Sequence, residues 1–600
     1  MKTVLLAISC SIMAYCTMAA ARPNVVLLIT DDQGYGDLSC HGNPVLKTPN
    51  LDKLHEQSVR LTDFHLDPMC APSRTALLTG RYSARAGVWS TLNGCYIPPR
   101  TEVTLGHLFS ANGYDTSMFG KWHLGDAYPY SARYRGFNYV VRHGAGVVGE
   151  VPDHWGNTYF NDTYLKNGEW EQFDGYCTDV WFEEAIKHIK SVKGKPFFCY
   201  LAPNAPHNPF NVDERYSKPY LNAGVPEQRA RFYGMIANID ENVGRLLSFL
   251  EEEGLAENTI ILFMGDNGTS GGADIVWKTS MVKDGYNAGM RGKKMKPYEG
   301  GHRNSCFIRW PAGGISGGRD VGGLSAHFDL FPTLAELCDL NIPSAAKLDG
   351  ISLAPQLRGD ESVCPERTLV THNMQLVEPV KYKDFCVMDS RWRLVSPGLS
   401  EKTELFDIQA DPGQLKDLSA DYPEVAKRLR KKYDAWWNEM LPVFGTVSRH
   451  VVGSPHENPM ELNCHSWKTP SKEMSYDQLH VRQGIAINDA YWPIEIERAG
   501  RYRIELRRWP RDADVPIVGT VPALHKPFCD PLPAGKVYPI VKARLAVQDF
   551  DLTIPVSTAD KAAVFELEFK AGQSRLQAWF AFDADQTINA YYVTVRWLGP

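Results

Sequence analysis

Six short stretches of this chain carry side chains that suit one kind of chemistry. Asp31-Asp32 and Asp266-Asn267-Gly268 offer three carboxylates and an amide. Hard oxygen donors of this kind suit Ca²⁺, and less well Mg²⁺, better than zinc. Met69-Cys70-Ala71-Pro72-Ser73-Arg74 opens a segment that reads as a short loop feeding a helix that stops at Gly80. Arg74 follows Cys70 by one helical turn and can reach back toward it, and a helix N-terminus favours an anion there. Lys121 and His123 flank Trp122. On a strand-like exit they point the same way, toward a shared anion. His207 lies in the stiff stretch Ala205-Pro206-His207-Asn208-Pro209, and Lys294 lies in a basic run from Arg291 to Gly301.

Taken singly, each has a bland reading: a turn, a solvated loop, a surface lysine, a buried cysteine. The elements that must position them argue otherwise. Asn24 to Ile29 is a continuous apolar run, which predicts a strand buried on both faces and hence a parallel sheet. Asp31 and Asp32 follow it. Strands expected at Asp115 to Phe119, Pro196 to Leu201 and Thr259 to Met264 deliver Lys121 and His123, His207, and Asp266 and Asn267. In an open α/β sheet, ligands bind beyond the carboxyl ends of the strands. Four strand ends therefore aim at one crevice.

The Cys70-x-Pro72-x-Arg74 core resembles the sequence converted to formylglycine in the type I sulfatases of the alkaline phosphatase superfamily. The similarity runs from about Asn24 to about Met440. It includes Thr30-Asp31-Asp32-Gln33-Gly34, Gly120-Lys121-Trp122-His123, Asp266-Asn267-Gly268 and Tyr298-Glu299-Gly300-Gly301. The resemblance implies an α/β alkaline-phosphatase-like domain with a mostly parallel central sheet. It implies that Asp31, Asp32, Cys70, Asp266 and Asn267 hold a divalent cation, usually Ca²⁺. Around the sulfate it implies Arg74, Lys121, His123, His207 and Lys294, with Cys70 converted by a maturation enzyme. One departure stands out: Met295, Lys296 and Pro297 fill the space before Tyr298, so Lys293 and Lys296 compete with Lys294. The activity implied is hydrolysis of a sulfate ester on a small molecule or saccharide. A phosphonate or phosphate ester hydrolase, or a glycan-binding protein on an inert scaffold, remains as an alternative.

The rest of the chain sets the context. Six hundred residues imply more than one domain. A formal net charge of -6 gives no reason to expect nucleic acid. Lys2, a short apolar run and Ala19-Ala20-Ala21 read as an export signal over 1–21, giving a periplasmic or secreted protein, lysosomal in a eukaryote. No segment is long and apolar enough to be transmembrane. Of 13 cysteines, two fall in that signal, and an exported chain with the remainder permits at most a few disulfides. The catalytic region is expected over 22–440, with a smaller subdomain at about 365–440. Helices are expected at Ile236 to Leu250, Leu324 to Leu340 and Glu424 to Met440. Residues 441–460, rich in Pro and Gly, read as a linker. Beyond them the pattern turns to period two, as in Tyr502/Ile504/Leu506 and Ala543/Leu545/Val547, which predicts a β-sandwich-like accessory domain over 461–600. That domain is either structural or an independent carbohydrate-binding module. In it, His465 and Trp467 are within sequence reach of a pocket rim, with core packing the better reading of Trp467.

Overall fold

The computed structural model describes residues 22–600 apart from 361–365, 400, 471–474, 488 and 583–585. The expected export signal over 1–21 lies outside the described residues. Asn24–Thr30 pairs in parallel with Phe197–Ala202 on one side and Thr259–Gly265 on the other. Asp115–Gly120 joins beyond Phe197–Ala202, also in parallel. Tyr139–Arg142 continues the parallel run, and mixed strands complete both ends of the sheet, to ten strands among the described residues.

The apolar run of the first strand has a direct cause. Val25, Leu27 and Ile29 enter one core with Trp122, Phe198 and Met264. Val26 and Leu28 enter another, against Phe182 and the helix residues Ile239, Val243 and Leu246. Both faces of the strand are covered, so no position is left for a polar residue. Register then sets the site. Thr30 lies beside Gly265, and Gly120 beside Ala202, so all four strands release their chains at one edge.

The helix expected around Ile236 to Leu250 runs over Glu227–Glu252, with Gly254 beyond it at φ 68°. The helix expected over Leu324 to Leu340 is shorter. Ser325–Ala326 is a strand paired with Phe64–His65, a 3-10 turn covers His327–Asp329, and only Leu330–Leu337 is α-helical. Pro332 accounts for the late start, because proline is tolerated in the first turn of a helix but not inside it. A four-stranded antiparallel sheet, Leu369–His372 to Glu404–Asp407, backs onto the helix Pro423–Phe444 through Phe385, Leu394, Leu429 and Tyr433.

Residues 441–460 do not form one bare connection. The helix continues to Phe444, and His450–Val452 is a strand paired with Ile494–Ile496. Three residues are too few to show a period, which is why the strand escapes sequence reading. Two mainly antiparallel sheets follow and share one core. In Gly500–Arg507 the alternation is plain: Tyr502, Ile504 and Leu506 are fully buried and Arg501 is exposed. Two residues of the first domain, Ala127 and Val151, belong to this same core. The ten cysteines among the described residues are all unpaired. Among the described residues no helix is long and apolar enough to cross a membrane.

Candidate active site

Cys70 is the first residue of a ten-residue helix, Cys70–Thr79, buried along its whole length. Gly80 stops it at φ 67°. The Sγ lies 3.5 Å from His123 Nδ1. It is also within 4.8 Å of carboxylate oxygens of Asp31 and Asp266. Burial pushes the thiol's pKa up, although Lys121 and Lys294 pull the other way. A buried, protonated thiol is a poor nucleophile at neutral pH.

The acids arrive as their strands end. Asp32 takes a left-handed conformation, φ 67°, and its N–H donates to Asp266 Oδ1 at 3.0 Å. Asn267 Nδ2 donates to Asp32 Oδ1 at 2.9 Å. Asn304, which the sequence did not single out, ties both loops by donating to the carbonyls of Gln33 and Asn267. It follows the Glu-Gly-Gly element without any periodic signal of its own.

Basic groups surround these acids. Arg74 Nε donates to Asp266 Oδ2 at 3.0 Å, and its NH1 donates to the Lys121 carbonyl at 3.1 Å. The Tyr200 hydroxyl, also unforeseen, accepts from the same NH1 at 3.4 Å. Lys121 Nζ grips both oxygens of Asp31, at 2.8 and 2.9 Å. Lys294 Nζ donates to Asp32 Oδ2 at 2.8 Å and lies 3.1 Å from His207 Nε2. Its rivals point elsewhere. Lys293 caps the carbonyls of Ser270 and Ala273, and Lys296 sits 3.5 Å over the Trp277 ring.

Lys121 and His123 converge on the site by a different geometry from the one expected. The strand ends at Gly120, φ 95°, where an added Cβ would strike the Ala202 carbonyl at 2.3 Å. His123 is itself left-handed, φ 59°. Gly146 makes room for its ring; a Cβ there would lie 2.5 Å from His123 Cε1. His123 Nε2 is 3.2 Å from the Thr91 carbonyl, which can only accept, so the proton sits on Nε2 and the Nδ1 lone pair faces Cys70. By the same logic His207 Nδ1 donates to the Asn208 carbonyl at 2.6 Å, and Nε2 accepts from Lys294. Burial lowers His207 to about 4, so the imidazole is neutral near pH 7.

The carboxylates are unevenly served. Burial opposes ionisation of Asp32, but His207, Lys294 and Lys121 outweigh it and hold the group below the usual range. Burial and then the neighbouring Asp31 push Asp266 up to about 7 despite Arg74 and Lys121. Asn267 Oδ1 is buried with no hydrogen-bond partner. An orphaned amide oxygen beside crowded carboxylates fits a hard divalent cation, with Asp31, Asp32, Asp266, Asn267 and position 70 as its donors.

His465 reaches this site from the C-terminal sheets. It is buried, its ring centroid is 6.1 Å from that of His123, and its Nε2 is 3.4 Å from Glu150 Oε2. Trp467 instead packs in the C-terminal core against Trp492.

The sulfatase family model matches residues 23–340, more than half of the chain. This chain belongs to the sulfatase family. A second model, N-sulphoglucosamine sulphohydrolase, C-terminal, matches residues 289–438 of this sulfatase. Human N-acetylgalactosamine-6-sulfatase is 29% identical over 71% of the chain and 87% of its own length. Human arylsulfatase A is 31% identical over 76% of the chain and 95% of its own length. Among solved structures, that of Ps i-CgsB in complex with k-i-k-neocarrahexaose superposes with a TM-score of 0.60 at 25% identity. It covers 69% of the sulfatase and 92% of that chain. The protein is thus an enzyme of sulfate ester hydrolysis with an α/β catalytic fold and C-terminal antiparallel sheets.

Proposed function

We propose that this sulfatase removes sulfate from a carbohydrate by way of formylglycine made from Cys70, with Ca²⁺ bound by Asp31, Asp32, Asp266 and Asn267. The observation that carries the reading is the placement of Cys70 at a buried helix start, against Asp31, Asp266 and His123. The thiol there is protonated by its burial and suits the role of precursor better than that of nucleophile. Once converted, position 70 would supply a hydrated aldehyde: one hydroxyl would be the nucleophile that displaces the alcohol from sulfur, and the other, on losing its proton, would expel sulfate and restore the aldehyde.

The chain's own residues do the remaining work. Lys121, Arg74 and the helix N-terminus neutralise negative charge beside position 70. His123 Nδ1, 3.5 Å from the Cys70 Sγ, is a proton acceptor for that position. Lys294 carries a proton at neutral pH: burial opposes this, but Asp32 more than offsets it and raises the pKa. His207 is neutral and accepts from Lys294, so Lys294 is the proton source for the departing alcohol and His207 orients it. Ca²⁺, when bound, offsets the carboxylate charge and polarises the sulfuryl group; Mg²⁺ is the lesser fit.

The carbohydrate assignment rests on the relatives, one named for a sugar sulfate and one solved with a neocarrahexaose. Export rests on residues 1–21, and a formylglycine-generating enzyme is the partner required for maturation. We take the catalytic region to end with the helix at Phe444 and the accessory β domain to start at His450. The test is turnover of nitrophenyl sulfate against nitrophenyl phosphate and phosphonate. The reading expects sulfate to be preferred, with activity lost on chelation and restored by Ca²⁺ better than by Zn²⁺. Preference for phosphate or phosphonate, or restoration by Zn²⁺ alone, contradicts it.

A further inference from the structure

A cavity of about 410 Å³ opens beside His207, within the roughly 300–1,000 Å³ typical of small-molecule sites. One wall comes from the catalytic domain, at Val147–Glu150 and His207–Pro209. The opposite wall comes from the C-terminal domain, at Tyr476, Leu479 and Leu532. His207 thus faces two ways: its Nε2 meets Lys294 and Asp32, and it also lines the cavity. A sulfate ester whose anion sits among Lys121, His123 and Lys294 can place the organic group it carries in this cavity beside His207.

The C-terminal wall is fixed in place. The Val151 N–H donates to the Tyr476 carbonyl at 3.0 Å, and Glu150 and Asp477 form an antiparallel bridge. Gly156 N–H donates to Gln478 Oε1 at 3.2 Å, and Cys529 Sγ donates to the Thr158 carbonyl at 3.1 Å. With Ala127 and Val151 embedded in the C-terminal core, the two domains share buried apolar surface. A separable glycan-binding module on a linker would have neither feature.

We infer that the C-terminal domain sets the specificity of this sulfatase, with Tyr476 and Leu532 lining the site for the alcohol part of the ester. The inference rests on the proposed sulfatase chemistry. Tyr476 is half-buried, and its backbone is held from the catalytic domain, so its ring is a rigid platform for the less polar face of a sugar. Leu532 narrows the cavity from the same side.

The test uses full-length enzyme and two opposite changes. Tyr476→Ala removes the platform, and Leu532→Trp fills the cavity. Both should lower kcat/KM for sulfated galactosamine and for sulfated carrageenan oligosaccharides by about tenfold or more. The inhibition constant of inorganic sulfate, which occupies only the anion site, should stay within about twofold in both. Unchanged kcat/KM in both variants overturns the inference. So does a loss of sulfate affinity that matches the loss of kcat/KM, because that marks general disruption. A wild type that turns over nitrophenyl sulfate but neither sulfated sugar also overturns the sugar site while leaving the sulfatase chemistry standing. Absence of all sulfate ester turnover from protein with converted Cys70 defeats the underlying reading instead.

Discussion

Asp63, His65, Glu299, His302 and Arg393 form a buried cluster that invites comparison with the one around Cys70. Donor atoms of His65, Glu299 and His302 lie within 4.8 Å of one another, as do those of Asp31, Cys70 and Asp266. By proximity alone, both could hold a metal. What differs is how fully the carboxylates are answered. Arg393 Nε donates to Glu299 Oε1 at 2.8 Å, and its NH2 donates to Asp63 Oδ1 at 2.7 Å. Burial disfavours the Glu299 carboxylate, yet Arg393 and the neighbouring histidines lower it to about 2. Around Cys70 the balance runs the other way, and Asp266 is raised to about 7. A cluster whose charges are already matched stabilises a fold. The cluster around Cys70, where burial and Asp31 keep Asp266 from ionising readily and the Asn267 amide oxygen has no partner, stands to gain from a cation.

The largest effect that separates the two is loss of the nucleophile position. Cys70→Ala should cut sulfate ester turnover by at least ~10⁴-fold while leaving the melting temperature near that of the wild type. Retained turnover would show that the reacting group lies elsewhere. Arg393→Met should do the reverse. Removing the guanidinium that pairs with buried Glu299 and part-buried Asp63 should cost ~3–5 kcal/mol in denaturant unfolding, with kcat per folded molecule unchanged. A fall in kcat at full stability would bring Arg393 into the active site and erase the contrast.

Lys294→Ala comes next, at ~10²–10³-fold in kcat, against less than ~3-fold for Lys293→Ala. Comparable losses in both would mean that the sequence ambiguity has been resolved wrongly. The smallest effect is a pH window. Glu299 moves from an ordinary 4.5 to about 2 in the folded state. A depressed carboxylate pKa stabilises the fold above the unfolded value and loses that contribution as pH falls through the folded one. The stability gap between wild type and Arg393→Met should therefore be full above about pH 4.5 and close toward pH 2. A gap that widens on acidification contradicts the pairing.

Much of the site around Cys70 was legible in the sequence, and none of the Arg393 cluster was. Asn24 to Ile29 announced a doubly buried strand because both of its faces are covered, and its end placed Asp31 and Asp32. The residue types at Cys70, Arg74, Asp266 and Asn267 then suggested what gathers there. Spacing from the Tyr-Glu-Gly-Gly element favoured Lys294 over Lys293 and Lys296 but could not fix the choice, because direction within a loop depends on contacts made elsewhere. Only the meeting of Lys294 with Asp32 separates it from the two that cap carbonyls or lie on Trp277. The path of His123 was also hidden, since a left-handed histidine depends on the space left by Gly146. The helix expected from Leu324 starts only at Leu330, because Pro332 is tolerated in a first turn and not further inside. Least visible was the reach of the C-terminal domain. His465 was singled out for a pocket rim and packs beside His123, but nothing in the period-two pattern signals that Tyr476 faces the His207 cavity.

The central claim is that Cys70 is encoded as a thiol and acts as an aldehyde. Mass spectrometry of the tryptic peptide Leu61 to Arg74, taken from active enzyme, tests it without reference to substrate. The account predicts a peptide ~18 Da lighter than the encoded sequence, in proportion to the specific activity of each preparation. Fully active enzyme whose peptide carries only the unmodified thiol would contradict it.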